Sequence, residues 1–200
     1  MNPSAASFIC ILSLMVMAAI SLERSKLSYQ KLALIASLAA VIAVSRIPLA
    51  LIPNVQLVTA LIICSGIAYG RMIGLAIGML VPLISNLFLG HGPWTIWQMF
   101  AWGLCGFISG VPMINRMKQN RWSLAFYGAG WGFLYGWITN LWFWLTAVSP
   151  LTIETWVSYC LVSSSIVDFI HAVNNFIFLA LLGLPVLKIF SQYRHYDSDH

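Results

Sequence analysis

Asp168 and His171 are the deepest titratable pair in a strongly apolar sequence. They stand three residues apart and can share one helix face, with Asn174 and Asn175 a turn onward. Three kinds of chemistry suit such a pair: a structural hydrogen-bonded network, a contribution to a ligand site or to partner coupling, and a proton relay, since ionisable groups inside a membrane also mark ion pathways. Ser163 and Ser164, two helical turns before His171, offer the ingredients of an intramembrane serine hydrolase. No pattern marks the oxyanion site such an enzyme needs. No GxxxxGK[ST] phosphate loop occurs either, so ATP-driven work would have to be done by a partner. A second constellation comprises Arg46, Asn54, Gln56, Asn86, His91, Gln98, Asn140 and Glu154, which fall towards the same end of several apolar segments. A polar group in hydrocarbon must find a partner or face a cavity. Together with Trp94, Trp97, Trp102, Trp144 and Tyr159, these groups could form a ligand pocket with flat apolar walls and a few orienting donors and acceptors.

Only membrane helices can position these side chains. The 200 residues are 60% hydrophobic and 8% charged, whereas a soluble domain carries about 25% charged residues. No Lys, Arg, Asp or Glu occurs between Arg71 and Arg116, or from Trp122 to Ile153. A net charge of +5 without a dense basic patch excludes a nucleic-acid surface. Seven apolar segments are expected, at residues 5–22, 31–47, 55–70, 72–90, 95–115, 123–147 and 155–189, against the roughly 20 residues that cross a bilayer. The last is too long for one straight crossing and is expected to change course after Gly183 and Pro185. The first lacks a basic leader, and Glu23, Arg24, Lys26 and Lys31 follow it, so it reads as an anchor helix with its amino end outside.

All of the ten bases except Arg46 then fall on the cytoplasmic side, a strong positive-inside pattern with the C-terminus inside. Trp94, Trp97, Trp142, Trp144 and Trp156 gather at the outer boundary, and Trp122 at the inner one. Ala36–Ala40 and Ala39–Ala43 form AxxxA pairs, whose small faces allow close helix approach, either internally or to a separate membrane protein. Gly70/Gly74/Gly78 and Gly128/Gly132/Gly136 are similar ridges, read as internal. Cys10, Cys64, Cys105 and Cys160 lack metal-ligand spacing and read as packing residues. No metal site is expected.

The stretches RIPLALIPNVQLVTALIICSGIAYG (46–70) and ISNLFLGHGPWTIWQMFAWGLCGFISG (84–110) resemble the substrate-binding S components of energy-coupling factor (ECF) vitamin importers, and the similarity extends over about residues 31–180. Within that superfamily the cobalamin-specific S components are the nearest resemblance. The resemblance implies an all-α integral membrane protein of the cell membrane, a six-helix S-component bundle with an additional N-terminal hydrophobic helix. Residues 1–22 would be that extra membrane helix, 23–190 the membrane-embedded substrate-binding domain, and 191–200 a cytoplasmic tail. It further implies a transmembrane T component and two cytosolic ATPases as partners, and a vitamin, cobalamin first, as transported ligand, with no permanently bound cofactor. The family's coupling motif falls on Ala36 and Ala40, with Ala39 and Ala43 as the alternative register. Its binding regions here contain Asn54, Trp94, Trp97, Gln98, Asn140, Trp144 and Tyr159. Asn and Gln can exchange hydrogen bonds with the amides that edge a corrin, and Trp and Tyr can cover its rim. Riboflavin or queuosine-like ligands would also suit aromatic walls, while the sparse charge argues against strongly anionic substrates.

Overall fold

The computed structural model describes residues 3–52 and 55–196, and among these every regular element is helical. In chain order they are α1 (Pro3–Arg24), α2 (Tyr29–Arg46), α3 (Val58–Tyr69), α4 (Arg71–Leu89), α5 (Trp94–Ser109), α6 (Arg121–Ala147), α7 (Ile153–Ser158), α8 (Ser165–Phe178) and α9 (Leu184–Tyr196). The chain is an all-α membrane protein. Four spans are long and apolar enough to cross a bilayer: Ser7–Arg24, Tyr29–Arg46, Arg71–Leu89 and Ser165–Gln192. The 27-residue α6 is longer than any single one of α1 to α5, but it draws its apolar surface from Trp, Phe and Tyr.

The helix ends are written in the sequence. Asn120 accepts from the backbone N–H groups of Trp122 and Ser123 and so opens α6. Thr152 and Thr155 close a reciprocal capping box on α7. Pro93 precedes α5, where its missing N–H costs nothing. The long last segment is three helices joined by π-helical turns at Tyr159–Ser163 and Leu179–Gly183. The change of course expected near Gly183 is therefore a widened turn, with Pro185 in the first turn of α9. Residues 191–196, expected as tail, continue α9.

At the centre lies α3. Its 12 residues rise only about 18 Å, and all but Leu61 and Tyr69 are buried. A helix that is apolar all round belongs inside a bundle, and α2, α4, α5 and α9 surround this one. The tightest seam joins α4 to α5. A Cβ on Gly74 or Gly106 would overlap the backbone of the other, so these two helices touch main chain to main chain. The Gly132 ridge packs inward in the same way, against Ala172 of α8. Cys64, Cys105 and Cys160 are buried as expected, but Cys10 is exposed on α1. α1 is peripheral: among its described side chains only Ile11 and Met15 are buried, packed with Trp97 and Met99.

One end of the bundle carries the 47–57, 90–93 and 148–152 connections, and is called here the Trp94 end. The opposite, Arg121 end carries 25–28, Gly70 and 110–120.

Candidate functional site

At the Trp94 end, the last residue of α2 enters a polar cluster built from several helices. Arg46 Nη1 donates to Ser85 Oγ (2.9 Å) and Asn86 Oδ1 (2.8 Å) on α4. Its guanidinium lies over Trp102 of α5, 5.2 Å from the ring centroid. Asn86 Nδ2 in turn donates to Thr95 Oγ1 (3.0 Å) and Gln98 Oε1 (2.8 Å) on α5. One buried amide thus ties α2, α4 and α5 together with its acceptor and both donors in use.

The cluster continues inward. The Trp102 indole N–H donates to Thr59 Oγ1 on α3 (3.0 Å), and Thr59 Oγ1 lies 2.9 Å from His171 Nε2 on α8. An indole nitrogen can only donate, so Thr59 accepts from Trp102, while the direction of its contact with His171 Nε2 follows the imidazole tautomer. The other ring nitrogen, His171 Nδ1, is buried with no hydrogen-bond partner among the described residues. Tyr135 of α6 stacks on Trp102 (4.6 Å) and meets the His171 ring edge-on (5.2 Å). Asn174 Nδ2 donates to the Gln56 carbonyl (2.6 Å), which ties α8 to the 47–57 connection.

Thr59 is fully buried and serves two polar partners. Thr59→Val keeps the shape but strands the Trp102 and His171 nitrogens, at about 1–3 kcal/mol for each. A clearly lowered unfolding temperature is expected in a thermal melt of the purified protein. A melt equal to wild type would show that these bonds carry no net stability.

Asp168 and His171 share a helix but serve different neighbours. Ser164 donates to Asp168 Oδ2 (2.8 Å), and the carboxylate lies against Gly136 of α6. Ser164 therefore engages Asp168 while His171 engages Thr59, an arrangement unlike a serine–histidine catalytic pair.

Above Arg46 lies a cavity of about 260 Å³, lined by Arg46, Leu49, Ala50, Ile52, Val55, Gln56 and Leu89. A larger apolar cavity of about 450 Å³ lies between α1 and the ends of α5 and α6, with Phe8, Pro93, Trp97, Trp142 and Leu145 in its wall. The residues expected from sequence divide among separate places. Gln98 joins the Arg46 cluster. Trp97 faces α1 and the apolar cavity, and Trp94 packs edge-on to Trp142 beside it. Trp144 donates to Thr155 (3.0 Å), and Tyr159 stacks on Phe143, both at the α6–α7 corner. Asn140 is partly buried on α6, with Nδ2 lacking a partner among the described residues. Asn54 lies outside the described residues. Ala39 and Ala43 are buried in the core, whereas Ala36 and Ala40 are exposed.

The binding residues implied by the resemblance lacked Arg46, Ser85, Thr59, Thr95 and Tyr135, although the polar constellation read from the sequence held Arg46. A signal for part of this set exists: Arg46 is the only charge between Lys31 and Arg71, and Ser85–Asn86 precedes the turn at the same end.

A helical membrane bundle with a polar cluster beneath a cavity at one end is of the kind that can hold a small molecule. The sequence pattern of the family described as ECF-type riboflavin transporter, S component, matches residues 26–192, and the chain belongs to that family. It is a vitamin-binding subunit of an ECF importer, a class that works with a membrane T component and ATPases. The match begins after α1. No curated protein and no solved structure matches the chain.

Proposed function

We propose that the chain captures cobalamin from the outer side of the cell membrane through its Trp94 end. The observation that carries this reading is the lining of the 260 Å³ cavity, where Arg46 and Gln56 supply a guanidinium and an amide and no aromatic ring forms a stacking slot. Amides suit a corrin edged with amides, because each can both donate and accept. At about 260 Å³ the cavity is smaller than the roughly 300–1,000 Å³ typical of small-molecule sites. A corrin would therefore sit over the mouth of this cavity at the Trp94 end rather than within it. The basic residues gathered at the Arg121 end support a cytoplasmic position for that end and for the C-terminus, with the N-terminus outside. Riboflavin is the second reading, favoured by the family's description and by the modest cavity.

The exposed face of α2 supports a docking role. Ala33, Ala36, Ser37 and Ala40 point away from the core, and small side chains let a helix of the T component approach closely. ATP hydrolysis then belongs to the two cytosolic ATPases.

Titrating the purified chain, without ATPases, with cobalamin and separately with riboflavin tests the ligand. Saturable cobalamin binding that raises the unfolding temperature is expected, since a ligand of the native state stabilises it. Riboflavin binding without cobalamin binding would replace the first reading by the second. Failure of both, with uptake that follows the proton gradient rather than ATP, would overturn vitamin capture in favour of an ion-coupled transporter.

A further inference from the structure

We propose that Arg46 anchors a phosphate group carried by the ligand taken up at the Trp94 end, an inference that rests on the vitamin-capture reading above. The sequence holds no Asp or Glu from residue 24 to residue 153, so α2 to α6 contain no carboxylate side chain at all. Neither of the next two acids forms an ion pair with Arg46 among the described residues. Glu154 is exposed in the first turn of α7, and Asp168 is turned to Ser164 and Gly136. The described partners of Arg46 are the neutral oxygens of Ser85 and Asn86 and the face of Trp102. They orient the guanidinium without neutralising it. A cation drawn out of water is costly unless paired, and a ring face offsets only part of that cost.

The same arginine also lines the 260 Å³ cavity, so the charge is presented to an incoming molecule. The planar fork of a guanidinium matches the oxygens of a phosphate group, and a rigid, pre-oriented fork loses little freedom on binding. Among the described residues every other Lys or Arg lies on the elements of the opposite half of the bundle, which leaves Arg46 as the fixed guanidinium at this end. A single cation suits a single anion. This refines the expectation that strongly anionic substrates are disfavoured. Two sources of phosphate meet at a membrane boundary, the transported molecule and a lipid headgroup, and the structure assigns the group to the transported molecule because Arg46 opens to a cavity shared with Gln56 and Val55.

Matched probe pairs test this. Cobinamide phosphate carries a phosphate that cobinamide lacks, and riboflavin 5′-phosphate carries a phosphate that riboflavin lacks. Dissociation constants are measured for all four with the full chain in phosphatidylcholine nanodiscs, and the readout is the ratio within each pair. The wild-type chain is expected to bind the phosphate-bearing member of at least one pair about tenfold to a hundredfold more tightly, the scale of a charged hydrogen bond. Arg46→Gln is expected to bring that ratio close to one, and Arg46→Lys to keep part of it. If Arg46→Gln fails to fold in a thermal melt, the wild-type ratio and Arg46→Lys decide. Tight binding without phosphate preference would overturn the anion site and leave vitamin capture standing. Absence of binding by both pairs would overturn capture and the anion site together. A phosphate preference abolished by phosphatidylglycerol nanodiscs, with Arg46-dependent stabilisation by that lipid alone, would assign Arg46 to a headgroup and overturn the proposal.

Discussion

Ala40→Trp is expected to leave the isolated chain folded and competent for its ligand while abolishing co-purification with the T component, and with it ATP-driven uptake. Ala40 lies on the exposed face of α2, one turn from Ala36 and beside Ser37. An indole there meets lipid in the free subunit and costs the fold little. At a helix–helix contact the same indole forces the partner's backbone outward, and in a membrane such contacts depend on close packing because lipid is as apolar as the side chains. The control is Ala39→Trp, one residue away. Ala39 is fully buried in the core, and overpacking that site destabilises the fold itself by about 1–3 kcal/mol or more. Measuring the unfolding temperature, ligand affinity and T-component capture of both variants separates the two faces of α2. If Ala40→Trp loses ligand affinity and capture in equal measure, α2 has no separate docking face.

The contrast between these neighbours also shows what could be read from residue order. AxxxA spacing puts Ala36 with Ala40 and Ala39 with Ala43, but α2 has so little polar content that its inward side leaves no clear trace in the sequence. The packing of α4 against Ala39 and Ala43 decides between the pairs. The apolar segments themselves were legible almost to their ends, because charge is excluded from hydrocarbon and Gly, Pro and Asn mark the turns. The expected segment at 72–90 is α4 at Arg71–Leu89, and that at 123–147 is α6 at Arg121–Ala147.

The site was legible only in part. Polar groups could be gathered at one end from topology, yet a helix turns about 100° per residue, so neighbours in sequence part company. Trp97 and Gln98 show this: the first goes to α1 and the apolar cavity, the second to Asn86. Thr59 carries no signal at all, since an isolated Thr in VTALIICSGIAY resembles any small residue in a buried helix. Its importance comes from α5 and α8 meeting it from opposite sides.

That meeting depends on the close approach of α4 and α5, and Gly106→Val is expected to have the largest effect on the whole protein. A Cβ at residue 106 would run into the Gly74 backbone, which has no flexible side chain to move aside. The helices must separate, and the strain of such overpacking starts at about 1–3 kcal/mol. The consequence reaches the other end of the seam, because Asn86 on α4 and Gln98 on α5 are held at 2.8 Å only while the two helices keep this spacing. Once they part, the Arg46 partners lose their orientation and Asn86 loses acceptors for its amide hydrogens. Gly106→Val should therefore give a poorly folded protein without measurable ligand binding, and Gly106→Ala an intermediate one. Gly130 supplies the comparison. It is exposed on α6, and a Cβ there meets nothing within 4 Å. Gly130→Ala should raise stability by about 0.5–1 kcal/mol, the usual gain from replacing glycine within a helix. Thermal melts and ligand titration of the three variants test the seam, and a Gly106→Val protein that melts and binds like wild type would show that α4 and α5 do not need backbone contact to build the site.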